Sequence, residues 1–152
     1  MNRRRFLQRL GAGGAAGAGG ATAAAIAGAL GVSLTGCIGF HYVGGTVAGN
    51  RLIVRRRDFG EGRFVLVDAP GQALPLYIYR HDDGSYSTVS TRCMHQGCQV
   101  EPVAGHLICP CHGSEYTNAG EILKGPTALP LERYPTRAEG DLLVIDLAVE
   151  SR

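Results

Sequence analysis

The chain has 152 residues, 45% of them hydrophobic and 18% charged, which fits one domain, or one domain with an appendage, and excludes a disordered chain. A formal net charge of +2 is too small for the dense basic face that nucleic-acid binding requires. The 23 glycines suggest low complexity only on average, because nine of them fall with ten alanines in the first 36 residues.

Charge divides at the same place. Arg3, Arg4, Arg5 and Arg9 are the only charged side chains before Arg51, and all 13 acidic residues lie beyond position 57. Without residues 1–36 the formal charge is −2, so the basic balance belongs to the first ten residues. A short basic head followed by a long uncharged stretch is the layout of an export signal. Asn2-Arg3-Arg4-Arg5-Phe6-Leu7-Gln8 resembles the twin-arginine signal, in which two arginines precede any residue, then Phe and Leu. The stretch from Leu10 to Phe40 is long enough to span a bilayer, although Ala and Gly make it weakly apolar. Leu34-Thr35-Gly36-Cys37 resembles a lipoprotein signal box, which implies that Cys37 is lipidated and becomes the first mature residue. The alternative is that residues 1–36 stay on as a membrane anchor. Both place the domain on the extracytoplasmic, periplasmic side of a bacterial membrane, tethered to it. Residues 37–50 then form the lipidated N-terminus and linker, and residues 51–152 the domain.

After Tyr42, short runs rich in Val, Ile, Leu and Tyr alternate with Gly, Pro and Asp, the pattern of an all-β domain. The pattern predicts strands over Leu52–Arg56, Arg63–Asp68, Leu76–His81, Tyr86–Thr91, His106–Cys109, Leu131–Thr136 and Leu142–Leu147. Asp82-Asp83-Gly84-Ser85 and Ala138-Glu139-Gly140-Asp141 read as tight hairpin turns. No stretch after residue 50 keeps a helical period over three turns. Arg55-Arg56-Arg57 reads as a solvated strand end. A domain of this size without Trp gains from a cross-link or a metal centre.

Apart from Cys37, the four cysteines fall within 19 residues and interleave with two histidines, in Cys93-Met94-His95-Gln96-Gly97-Cys98 and Cys109-Pro110-Cys111-His112-Gly113-Ser114. Thiolate and imidazole both bind zinc and iron, so the pattern points to a metal site. From the residues alone, two metals compete. A structural zinc domain would use two Cys and two His; an iron–sulfur cluster of mixed ligation would use the same number, two per iron. Either leaves two Cys, which in an exported protein can pair, and four Cys allow three pairings.

The two boxes resemble those of the Rieske 2Fe–2S family, C-x-H-x-G-C and C-P-C-H-G-S, at every fixed position. The resemblance implies an antiparallel β-sandwich with a small cluster-binding subdomain. It implies Cys93 and Cys109 on the inner iron, His95 and His112 on the outer iron, and a Cys98–Cys111 disulfide joining the loops. Two neutral imidazoles in place of thiolates make the cluster easier to reduce, and such centres lie at roughly −150 to +300 mV. Ser114 and Tyr116 match the positions of hydroxyls that bond a sulfide and a Cys sulfur and raise the potential. Gly125-Pro126-Thr127-Ala128-Leu129-Pro130 resembles the proline-containing loop that covers the cluster. His41, His81 and His106 read as solvated or structural.

Two positions depart from the quinol-oxidising members: Gln96 stands where Leu is usual at the exposed tip, and Met94 where Thr is common. The implied function is an exported, membrane-tethered electron-transfer protein, a subunit of an oxidoreductase rather than a stand-alone catalyst. Its partner would be a cytochrome or another redox subunit, with quinol a further substrate. It would serve either a cytochrome bc-type complex or an exported molybdenum oxidoreductase. Gln96 and the lipoprotein box favour the latter.

Overall fold

The computed structural model describes residues 39–148, so the segment expected to be an export signal or anchor, and Cys37, lie outside the described residues. Strands follow in chain order as β1 (Tyr42–Val43), β2 (Thr46–Ala48), β3 (Arg51–Arg55), β4 (Phe64–Val67), β5 (Leu76–Arg80), β6 (Tyr86–Ser90) and β7 (Glu101–Val103). They continue as β8 (His106–Ile108), β9 (Glu115–Tyr116), β10 (Ile122–Lys124), β11 (Arg133–Tyr134), β12 (Thr136–Glu139) and β13 (Leu142–Asp146). Three sheets result: a central β1-β4-β5-β6-β11, a second β12-β13-β3-β2, and a third β10-β9-β8-β7. All pairings are antiparallel except β1 with β4, which run parallel because the chain visits the second sheet between them.

The central sheet is covered on both sides. Successive side chains of a strand point to opposite faces, and β4 and β5 divide accordingly. Val65, Val67, Leu76 and Ile78 pack with Leu52 and Val54 of β3 and Leu143 and Ile145 of β13, forming the core of the sandwich. Leu66 and Tyr77 enter a second core with Val89, Val100, Leu107, Tyr116, Leu131 and the two thiols Cys93 and Cys109. Double burial explains why Phe64–Val67 and Leu76–Tyr79 read as continuous apolar runs without alternation. The third sheet therefore sits on the central one through a core that contains site residues.

Each predicted strand is present, with one division. Leu131–Thr136 breaks at Pro135, which has no N–H to give a ladder. Before it β11 pairs with β6, and after it β12 pairs with β13, so the chain changes sheets there. Thr136 Oγ1 donates to Thr88 Oγ1 at 2.7 Å and bridges the two sheets at that corner. The hairpins form as expected. Gly84, at φ 82°, closes the first, and Gly140, at φ 58°, with Asp141 closes the second. Arg56–Phe59 is one turn of 3-10 helix with Phe59 buried, and only Arg51–Arg55 is strand. Arg56 does more than meet solvent, since it donates to Gly140 O at 3.0 Å and lies 5.9 Å from the Tyr86 ring centre.

Leu66 and Leu76 lie on neighbouring strands and are both fully buried, but on opposite faces. Either change to Ala should cost about 2–5 kcal/mol in denaturant unfolding. Leu66→Ala alone should also loosen the Cys93–Cys98 and Cys109–Ser114 loops. Hydrogen exchange at the loop amides separates the two.

Candidate metal centre

Two loops of one design build the site, Cys93–Cys98 between β6 and β7 and Cys109–Ser114 between β8 and β9. In each, the first Cys N–H donates to the carbonyl five residues on: Cys93 to Cys98 at 2.8 Å, and Cys109 to Ser114 at 2.8 Å. A glycine N–H then returns to the first Cys carbonyl, from Gly97 at 2.8 Å and from Gly113 at 2.9 Å. Both glycines are left-handed, at φ 79° and 74°, a conformation that costs other residues roughly 1–2 kcal/mol. The fifth position of each box is glycine for this reason. Below the first loop, Thr91 Oγ1 donates to Pro75 O at 2.7 Å, and Val100 N–H donates to Thr91 O at 2.7 Å.

A disulfide joins Cys98 to Cys111, with Cα atoms 6.5 Å apart. Cys93 and Cys109 keep free thiols and are each 1% exposed. The sulfurs of Cys98, Cys109 and Cys111 lie within 4.8 Å of one another. Two of those are consumed by the bridge, so they are no ligand triad. His95 and His112 meet edge to face, with ring centres 4.8 Å apart at 87°. His112 is exposed and His95 half-buried, so imidazoles lie at the surface and thiols beneath it. The site thus brings together both predicted Cys and His pairs.

Two fully buried hydroxyls border the thiols. Tyr116 Oη is 3.3 Å from Cys93 Sγ, and Ser114 Oγ accepts from Thr127 N–H at 3.2 Å. Burial pushes the Cys93 thiol up, but hydrogen bonds from Tyr116, the His95 backbone, Cys109 and Ser114 outweigh it and hold the thiol below its ordinary value. Cys109 moves the other way, pushed up by burial and by the adjacent Cys93. Tyr116 is raised by burial and by the same sulfur. The pocket therefore suits one thiolate and resists a second unless a cation stands between them.

The other histidines stay apart from this pair. His41 is exposed, His81 Nε2 is 3.0 Å from Ser87 Oγ, and His106 Nε2 is 3.7 Å from Glu115 Oε2. Met94 is half-buried and Gln96 exposed. The Gly125–Pro130 loop packs on the site through Thr127, a residue that composition and spacing do not single out. Its only sequence signal is its place two residues after Gly125.

The family model for the Rieske 2Fe-2S domain matches residues 50–135, more than half of the chain. The chain belongs to the Rieske 2Fe-2S family. It is 36% identical over 90 residues to the cytochrome b6-f complex iron-sulfur subunit of Chlorobaculum tepidum, covering 53% of this chain and 50% of that protein. The corresponding subunit of Chlorobaculum thiosulfatiphilum is 45% identical over 67 residues, covering 43% of this chain and 37% of the relative. The chain thus spans half or less of these curated relatives. Among solved structures, the plasma membrane Rieske protein PetC3 of Synechocystis PCC 6803 matches with TM-score 0.53 and 30% identity, over 60% of this chain and 93% of that one. A structure of the oxygenase–ferredoxin complex of carbazole 1,9a-dioxygenase shares the fold at TM-score 0.57 and 19% identity, over 69% of this chain and 100% of the matched chain.

A Rieske domain carries a 2Fe–2S cluster, and the residues here fit one. His95 Nδ1 is buried with no hydrogen-bond partner, which is costly unless something binds it. The two buried free thiols resist ionising together, and a coordinating metal removes that resistance by deprotonating both.

Two stability predictions follow from the loop design. Replacing Cys98 and Cys111 together by Ser should lower unfolding stability by about 3 kcal/mol, from the length of chain the bridge closes. Gly113→Ala should cost roughly 1–2 kcal/mol, and Gly113→Asn less, because nothing lies within 4 Å of an added Cβ and only the backbone objects. Urea titration of each variant measures both.

Proposed function

We propose that this Rieske protein is an exported, membrane-tethered one-electron carrier in which Cys93 and Cys109 hold the inner iron and His95 and His112 the outer one. The observation that carries this assignment is the layering of the site, free thiols 1% exposed beneath paired imidazoles, with the His95 Nδ1 left without a partner. When bound, the cluster accepts and returns one electron at roughly −150 to +300 mV. Buried Cys93 and Cys109 keep water from the inner side. Exposed His112 and half-buried His95 give a redox partner its nearest approach. With one ring nitrogen on iron, each imidazole would have its second nitrogen free to carry a proton. Ser114 and Tyr116 supply hydroxyl donors from a dry pocket, and the Cys98–Cys111 bridge holds the two loops in register.

The basic head at Arg3–Arg5 and the box ending at Cys37 support export and lipid tethering. Among the described residues no helix is long and apolar enough to cross a membrane, so the N-terminal segment is where an anchor would lie. Gln96, polar and exposed beside His95, favours a docking partner with a polar surface, as expected of a small subunit in an exported oxidoreductase. A second reading, the quinol-oxidising subunit of a cytochrome bc-type complex, draws on the b6-f relatives and on Leu129, 54% exposed in the Gly125–Pro130 loop.

Dithionite-reduced protein should give the Rieske EPR spectrum, and an EPR-silent, zinc-loaded protein ends the redox reading. If a proton accompanies the electron, the midpoint potential should fall as pH rises; a flat profile into the alkaline range contradicts proton coupling. Tyr116→Phe should lower the potential by about 40 mV, equivalent to roughly 1 kcal/mol of differential hydrogen bonding. Copurification with a cytochrome b or with a molybdenum subunit decides between the two complexes.

A further inference from the structure

Thr127 belongs to neither ligand box, yet it is 7% exposed while Gly125, Pro126, Ala128 and Leu129 around it are all exposed. A buried hydroxyl needs partners. Thr127 Oγ1 donates to Leu129 O at 2.8 Å and accepts from Leu129 N–H at 3.4 Å, which closes the loop on itself. The backbone N–H, held in place by that turn, donates to Ser114 Oγ at 3.2 Å.

This last bond controls where the serine proton points. A hydroxyl has one proton and two acceptor positions. With an N–H on its acceptor side, the Ser114 proton must turn away from Thr127, and full burial leaves it no water. Ser114 also has a side-chain contact with Cys93, so the side left open to its proton is that of the buried thiols. Tyr116 Oη is 3.3 Å from Cys93 Sγ.

We propose that Thr127 is a positioning residue for the cluster, turning the Ser114 proton toward the metal centre. The inference rests on Ser114 and Tyr116 acting as donors to the cluster and its ligands, as proposed above. The proline loop then sets the electron affinity of a centre that it does not ligate.

The test is voltammetry of the full-length, cluster-loaded protein, with EPR confirming that each variant holds its cluster. Thr127→Val keeps the shape and removes the hydroxyl that closes the loop. It should weaken the affinity for the electron about threefold to tenfold, a fall of roughly 30–60 mV at 59 mV per tenfold. Thr127→Ala carries the same expectation where Val does not pack, and Thr127→Ser should restore the parent potential. In a Ser114→Ala, Tyr116→Phe background, Thr127→Val should shift the potential no further. A full additional shift in that background, or a Thr127→Ser shift as large as that of Val, overturns the proposal. Failure of the Ser114 and Tyr116 changes to move the potential sinks the donor reading, and the proposal with it. If they move it and Thr127→Val does not, only the role of Thr127 is refuted.

Discussion

Two thiols buried side by side are the constraint on which this structure turns. Each is 1% exposed, and an ionised Cys93 makes ionising Cys109 harder. In water a thiol ionises near pH 8.5 with little help. In this pocket the Tyr116 and Ser114 hydroxyls and backbone N–H groups favour the first charge, and burial opposes the second. Neutral thiols fit such a pocket, but two thiolates do not unless a cation stands between them. The folding of these loops and the loading of the site are therefore coupled, as for other metal centres whose ligands must lose protons.

The coupling reaches the whole domain through the central sheet. One face of β4 and β5 builds a sandwich core that would suit any small β protein. The other face, through Leu66 and Tyr77, packs directly against the residues that carry the chemistry. Tyr77 also donates from its hydroxyl to Asn118 Oδ1 at 2.8 Å, tying the central sheet to the turn after β9. A single doubly covered sheet thus lends its rigidity to two loops that have little regular structure of their own. Loops held by a stiff scaffold are where sites with strict geometry are usually placed.

What was legible in the sequence follows the same physical lines. The long strands were visible because doubly buried β4 and β5 and the half-buried β3 and β13 have strong apolar patterns. The ligand boxes were visible because chemistry restricts their residue types and their left-handed turns demand Gly97 and Gly113. The short strands β1, β2, β7, β9 and β10 escaped, since two or three residues give no period, and Pro102 in edge strand β7 argues against a strand. The break at Pro135 was legible in principle, as a residue with no N–H in the middle of an expected ladder. Thr127 was not. Its burial arises from a contact with Ser114, 13 residues away in sequence, and no local pattern encodes that.

The same geometry separates the buried groups around the thiols from the groups at the surface. Ser114 and Tyr116, which border the thiols, and Thr127, which bonds Ser114, are buried and out of reach of any docking protein. The groups at the surface around the histidines, Gln96 and Leu129, have no contact with the thiols among the hydrogen bonds of the described residues. Changes at the surface can therefore alter who docks without moving the potential far, and changes beneath can alter the potential without disturbing the docking face. A polar Gln96 in place of an apolar tip belongs to the first kind. It disfavours burial in an apolar pocket, because its amide would lose water without gaining a partner. It leaves the charge balance of the cluster as it was. On the reading proposed above, the chain would carry single electrons while docking a partner with a polar surface.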